Sequence, residues 1–458
     1  VEADQKGNVK MQNFHLDAQI HAQAQKYLSK FIQIQSINPP GKEKEALEFL
    51  KGLLAKEGLD ATIYETAPER GVLVAKIAGK DPLASSVVLM NHVDVVPADP
   101  QYWQHDPFGG EIIDGYIWGR GALDMKSFGI MQLAVMLAYA RQGVQPKRNL
   151  IYLAVSDEER GGEAGAKWVA EHLIEELNPG IIFTEGAYGL ERVLIKEPVF
   201  CVEVAQKSSL KVRVISVGKP GHGNAPGKRS AIINLVKALS RLAEHDFPLT
   251  VHPVMDELFK RMAVKKTFPE NWIMANLSNP IAKRLIHPEL SKDKTLNAHF
   301  RNTVSITILE AGQGPNVIPP RAEAMLDVRL MPGEDPRQVL KRIEDVLDDR
   351  AITIEPLEQL VPNFTTDFNT PAFRIMEEEL LAAFPDSIVA PYLDIGGTDA
   401  KHFRAKGIPC YGIIPVIIDQ EELETIHGNN ERLSVEAFHR GMDVTFAITK
   451  RLCNRQGL

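Results

Sequence analysis

Cysteine is scarce in this sequence: three in 458 residues, Cys201, Cys410 and Cys453, far apart and odd in number. That excludes a disulfide framework, and without a C-x-x-C pair there is no thiolate metal site to read. The three thiols are expected to be small buried apolar groups. Long apolar runs are missing too; none approaches the roughly 18–20 residues that cross a bilayer, so no membrane span is expected. Neither charge sign dominates, with 52 basic and 60 acidic side chains and a formal net charge of −8 spread along the chain. That balance gives no electrostatic case for nucleic acid or an anionic membrane as partner. Tandem repeats and low-complexity linkers are absent. So is a G-x-S-x-G elbow, and Gly227-Lys228-Arg229-Ser230 fails the glycine spacing of a phosphate loop. The chain begins at Val1 with a polar stretch, Glu2 to Asn13, which suits either a mature end left by signal removal or a chosen boundary. On that basis an exported location is favoured over the cytoplasm.

What is present is an ordinary globular composition, in a chain long enough for two domains. A helical pattern runs from Asp17 to Gln35 and stops at Asn38-Pro39-Pro40-Gly41; a second, Glu43 to Lys56, closes at Gly58. Apolar strands follow at Val72–Ile77, Val87–Met90, Leu150–Val155 and Ile181–Phe183, with a helix over Lys126–Arg141 ending at Gly143. Strands alternating with helices imply an α/β layer with a largely parallel sheet. From Lys207 the pattern changes: Leu210–Val217, Val304–Glu310 and Ala322–Leu330 have a period of two, with a helix over Ala231–Ala243. This implies an antiparallel sheet with one open face. After Pro332-Gly333 helices and apolar strands resume, ending in a helix from Ser434 to about Leu452. The expected organisation is a discontinuous catalytic domain, 1–206 and 333–458, with an inserted α+β lid domain at 207–332.

Acidic and histidine residues follow the apolar runs: His92 and Asp94, Glu158 and Glu159, Glu185, and His427 beyond the Tyr411–Ile418 run. Asp124 stands just before a helix. Each has an ordinary explanation: a satisfied polar histidine, a solvated Glu-Glu turn, an Asp that caps a helix. Together they converge where ligands collect in open α/β sheets, outside the carboxyl ends of the strands. Imidazole and carboxylate donors without thiolate suit catalytic zinc, cobalt or manganese. Two metals need one bridging carboxylate and about two further ligands each. Asp124 as bridge, His92 with Glu185, and Glu159 with His427 meet that requirement. Glu158 is left over as a general base, and Asp94 as the carboxylate that orients His92.

His92-x-Asp94, Gly119-Arg120-Gly121-x-x-Asp124-Met125-Lys126, Asp157-Glu158-Glu159-x-Gly161-Gly162 and His427-Gly428 resemble the co-catalytic zinc family of aminoacylase, carboxypeptidase G, carnosinase and succinyl-diaminopimelate desuccinylase. The resemblance runs over nearly the whole chain in the family's order. It implies a zinc-exopeptidase-like fold with a largely parallel mixed sheet, two zinc ions for which cobalt or manganese can substitute, and a cis peptide at Asp124–Met125. Gly218 to Pro226 is similar to the family's lid motif, which implies that His222 reaches the scissile carbonyl oxygen. Asn316, Arg329, Gly397 and Thr398 fall in segments similar to its substrate contacts, with Arg329 and Asn316 meeting a carboxylate. Without the resemblance, His222 reads as part of a glycine-rich turn and Arg329 as a surface cation. The run Asn302 to Pro320 and the long lid segment Asp246–His299 are most similar to the branch of carboxypeptidase S and the N-fatty-acyl-amino-acid hydrolases. In that segment Phe259, Phe268, Trp272, Ile273 and Leu277 could line an acyl groove, although core packing is the commoner role for such residues.

The expected activity is hydrolysis of an amide bond in N-acyl amino acids or small peptides bearing a free carboxylate, through a di-zinc-activated water. The alternatives are a dipeptidase or C-terminal carboxypeptidase and, from another class, a binding protein on the same fold without enzymatic activity. The lid implies a homodimer, unless its added segment blocks the pairing.

Overall fold

Every residue of the strands Ser86–His92 and Leu150–Val155 is buried. Strands apolar on both faces belong inside a sheet covered on both sides, and these two are paired in parallel in the computed structural model of the chain. It describes residues 14–358 and 363–455; the polar stretch Glu2–Asn13 lies outside the described residues. Two compact units are formed. The first comprises the described part of 1–204, 366–392 and 398–458, the second that of 205–365 and 393–397.

The first unit is built on a mixed sheet. Its order across is Ala61–Ala67, Arg70–Ile77, Leu150–Val155, Ser86–His92, Pro179–Thr184, Cys410–Gly412 and Val199–Gln206, then two short strands, Gly189–Leu190 and Ile417–Ile418. The four adjacent strands from Leu150–Val155 to Cys410–Gly412 are mutually parallel, and antiparallel pairs flank them. Their carboxyl ends therefore lie along one edge, with His92 opposite Val155 and Thr184 opposite Gly412. The helix Lys126–Gln142 is buried all round from Lys126 to Tyr139 because it lies between this sheet and the helices Ala18–Gln33 and Val435–Asn454. Gly143, at φ +60°, ends it in the left-handed conformation. At its start the buried Lys126 ammonium donates to the Phe31 and Ile34 carbonyls (3.0 and 2.7 Å). Both carbonyls lie at the carboxyl end of the first helix, where each also accepts one backbone N–H. All three cysteines are buried free thiols, as their scarcity implied.

The second unit is a four-stranded antiparallel sheet, ordered Thr303–Ala311, Arg321–Leu330, Ser208–Val217, Ile352–Pro356. Along Arg321–Leu330 burial alternates strictly. Ala322, Ala324, Leu326, Val328 and Leu330 form a core with the helices Ala231–Ala243 and Pro336–Leu347, while Glu323, Asp327 and Arg329 stand on the other face. The body of this unit continues past Pro332-Gly333, where the sequence reading returned the chain to the first domain. The cause is packing: the apolar stripe of Pro336–Leu347 joins this core, and Ile352–Pro356 pairs with Ser208–Val217. The expected Tyr411–Ile418 run is split into Cys410–Gly412 and Ile417–Ile418, since Pro415 between them has no N–H to give a ladder. Among the described residues, no helix is long and apolar enough to cross a membrane.

Candidate metal centre

His92 is the last residue of its strand, while Glu158 and Glu159 lie just beyond Val155 and Glu185 beyond Thr184. Asp124 sits in the turn before Lys126–Gln142. It does not cap that helix, whose N-cap is Met125 without a side-chain bond, so the ordinary explanation for it is removed. His427 follows the short helix Gln420–Thr425 rather than a strand end, at φ +57°. The Asp124–Met125 peptide is cis.

The five nominated ligands meet as two groups that share Asp124. His92, Asp124 and Glu185 place donor atoms within 4.8 Å of one another, and so do Asp124, Glu159 and His427. Asp124 turns a different oxygen to each group: Oδ1 lies 3.0 Å from His92 Nε2, Oδ2 3.0 Å from His427 Nε2. Glu185 Oε2 is 3.5 Å from His92 Nε2, and Glu159 Oε2 is 3.2 Å from His427 Nε2. A carboxylate facing two ways, with one imidazole and one further carboxylate on each side, fits a bridged pair of divalent cations.

Charge supports the fit. Asp94, Asp124, Glu158, Glu159 and Glu185 are gathered around two imidazoles, and so much buried negative charge needs positive charge beside it. Burial, followed by repulsion from Glu185, raises the Glu158 carboxyl well above its ordinary value. Glu185 is pushed up to about 8, again chiefly by burial. His427 is pushed up to about 10 by its hydrogen bonds with Asp124 and Glu159. Burial works against ionisation of Asp124, but the bonds from His427 and His92 outweigh it and hold its carboxyl low.

A second layer holds these groups in place. Asp94 is fully buried; its two oxygens accept the backbone N–H groups of Glu158 (3.2 Å) and Glu159 (3.1 Å), and one also accepts from Asn38 Nδ2 (2.9 Å). Its carbonyl lies 2.9 Å from His92 Nδ1, so Asp94 braces a ligand and the Glu158–Glu159 turn together. Glu431 does the same for the bridge: Oε1 accepts from the amides of Gly121 (3.1 Å), Leu123 (2.7 Å) and Asp124 (3.1 Å). Arg120 completes the brace, donating to Glu431 Oε2 (2.6 Å) and to the Gly428 carbonyl beside His427 (2.6 Å). Arg70 pairs with Asp157 and donates to Asn38 Oδ1 at 2.9 Å. Asp399 is buried with neither carboxylate oxygen hydrogen-bonded, and burial pushes it up to about 7. A side chain at Gly162, at φ +78°, would strike it: a Cβ there falls 2.2 Å from Asp399 Oδ1. The sequence reading assigned no role to Glu431, Arg120, Asn38, Arg70 or Asp399. The one signal available was that charged residues sit inside otherwise glycine-rich loops.

The residues nominated by the lid resemblance are placed differently. His222 and Asn316 are neighbours: His222 pairs with Val317 in a two-residue ladder, and the Gly223 N–H donates to the Asn316 carbonyl (2.9 Å). Both are exposed. Arg329 lies opposite Ser209, at the far end of the sheet from the Val217–Arg321 pair that leads to His222. The eight-residue separation is about 26 Å along the strands. Within one chain, then, the second unit does not bring His222 and Asn316 together with Arg329. Gly397 is exposed near Gln206, whereas Thr398 is buried and accepts from the Ala400 N–H (3.3 Å). Of the suggested acyl-groove residues, Phe259 and Leu277 are core, and Phe268 and Trp272 are exposed.

Residues 88–451 match the peptidase family M20/M25/M40. The chain belongs to that family. Among its M20 relatives, N-fatty-acyl-amino acid synthase/hydrolase PM20D1 of Xenopus tropicalis is 34% identical over 372 residues, covering 79% of this chain and 71% of the relative. Aminoacylase-1 of Sus scrofa is 28% identical over 427 residues, 91% of each chain. The M20 metallo-carboxypeptidase Sso-CP2 of Sulfolobus solfataricus shares the fold at a TM-score of 0.68 and 20% identity, over 95% of this chain and 99% of that one. As an M20 enzyme the chain is a metallohydrolase that cleaves amide bonds, which sets aside the binding-protein alternative.

Proposed function

We propose that this M20 enzyme hydrolyses the amide bond of N-acyl amino acids carrying a free carboxylate. The observation that carries the proposal is Asp124 turning one oxygen to His92 and the other to His427, with Glu158 on the turn beside them. His92, Asp124 and Glu185 would hold one cation, and Asp124, Glu159 and His427 a second, with zinc suited to the donor set and cobalt or manganese as substitutes. Bound there, the ions would supply Lewis acidity to the scissile carbonyl and acidity to a water molecule. Glu158 takes the proton of the attacking water on its carboxylate and returns it to the departing amine. Asp94 keeps the Glu158 amide and the His92 ring in register during that transfer. His222 donates an N–H to the carbonyl oxygen as negative charge gathers on it, and Arg329, Asn316, Gly397 and Thr398 receive the substrate carboxylate.

The choice of an N-acyl amino acid draws on the 34% identical Xenopus relative and on Arg329. A second copy of the chain is proposed to deliver His222 and Asn316, because their separation from Arg329 exceeds the distance between the scissile carbonyl and the carboxylate of such a substrate. The edge strand Thr303–Ala311, with Ile306, Ile308 and Leu309 exposed, offers a surface for that pairing. The deciding experiment is Glu158→Gln. It is expected to retain two metals per chain by elemental analysis while kcat falls about a hundredfold or more. Undiminished turnover would remove Glu158 from the mechanism and the proposal with it.

A further inference from the structure

One cation in the second unit lacks the counter-charge its burial calls for. Lys207 lies immediately before the strand Ser208–Val217 and is 1% exposed. Its ammonium reaches the Thr303 hydroxyl at 3.3 Å; among the described residues no carboxylate lies in ion-pair range of it. A buried ammonium without a carboxylate is costly, and a methionine would fill similar space without that cost. The charge therefore points to an anion that arrives from outside.

The surroundings identify where that anion would sit. Thr303 and Ser209 are the two cross-strand neighbours of Arg329, so Lys207 meets the end of the sheet where Arg329 stands. The guanidinium of Arg329 pushes the Lys207 ammonium, already destabilised by burial, down to about 7. Arg329 is itself partly engaged: its Nε lies 3.1 Å from Asp327 Oδ1, which Lys211 also approaches at 2.9 Å. Lys207 in turn acts on His299, which burial first of all pushes down to about 4, leaving it neutral. The Lys207 N–H donates to the Asp394 carbonyl (2.8 Å), and the Asp394 carboxylate accepts from the Gly396 N–H (3.1 Å). These bonds tie the Gly396–Gly397 loop to the same place. Arg329, nominated for the substrate carboxylate, thus stands beside an ammonium that has no carboxylate in ion-pair range, and Gly397, also nominated, lies on the loop bonded to that lysine's backbone.

We propose that Lys207 is the second cation of the subsite that receives the substrate's free carboxylate, paired with Arg329. The inference rests on the reading that the substrate carries such a group. Arg329 gives up part of its charge to Asp327, so Lys207 supplies the uncompensated part, and the entering carboxylate becomes its missing counter-ion. As pH rises through about 7 the ammonium loses its proton and the attraction goes with it.

The test compares kcat/KM for an N-acyl amino acid with that for the carboxamide of the same compound. A wild-type enzyme that fails to prefer the acid defeats the carboxylate reading itself, whatever Lys207 does. Given that preference, Lys207→Met is expected to cut kcat/KM on the acid roughly tenfold to a hundredfold, mostly through KM, and on the amide far less. Equal losses on both substrates, or no loss on the acid, overturn the inference. The wild-type acid-to-amide ratio should also fall between about pH 6 and 9, the range in which a lysine so depressed gives up its charge. In Lys207→Met that ratio should be level, and identical profiles in the two proteins overturn the proposal.

Discussion

Around Asp124 in the first unit, each functional group is held from behind. Asp94 fastens the Glu158–Glu159 turn, Glu431 takes three amides of the bridging loop, and Arg120 links that loop to Gly428. In the second unit, His222 and Asn316 are exposed on a two-residue ladder, and Arg329 stands about a third exposed on an open sheet face. Metal ligands must be preorganised closely, because coordination tolerates little error. Groups that greet a substrate gain from freedom to adjust, and such groups are drawn from weakly protected parts of a fold. One chain thus contains a rigid kind of site construction and a yielding kind.

The contrast can be broken at its strongest point by Asp124→Asn. That change replaces one of the two oxygens by which Asp124 serves both groups, so metal content should fall well below two per chain and kcat by about a thousandfold or more. Two metals retained at full affinity would refute the shared bridge. On the yielding side, His222→Ala should lose about a hundredfold or more in kcat, the scale of one oxyanion donor, with metal content intact. Mixing it with Asp124→Asn after dissociation and reassembly should restore about a quarter of wild-type activity, since half of random dimers would hold one complete site. No recovery from verified mixed dimers would place His222 in the same chain's site. The smallest effect is expected from Glu431→Gln, which keeps the shape of the brace but weakens its hold on Arg120 and the amides. Zinc affinity, measured by competition with a chelator, should drop about tenfold to a hundredfold. An unchanged affinity would mean that the bridging loop holds its form without that carboxylate.

The five proposed ligands could be nominated because local pattern and chemistry coincide there: apolar strands announce where they end, and donors stand at three of those ends. Helix limits were legible for a similar reason, with Gly143 closing one helix and Ser434 capping another. Glu431 was not legible, since its partners lie more than 300 residues earlier in the chain and nothing in its neighbourhood specifies them. The extent of the second unit was misread at Pro332-Gly333 because a turn signal looks the same inside a domain as between two. Which sheet Ile352–Pro356 joins was decided by its partner strand. Lys207 was passed over for a related reason: in sequence it is one lysine among many, and only its burial beside Arg329 sets it apart.

Glu431 has a further meaning for the order in which the molecule can come to life. The amides of Gly121, Leu123 and Asp124 have their acceptor only when a residue more than 300 positions further along is present, and His427 arrives in the same short stretch. A ribosome will have released His92, Asp124, Glu159 and Glu185 long before His427 and Glu431. During all that time the loop that carries Asp124 is without the carboxylate that fastens it. That loop can take its fastened form only after Glu431 has been made.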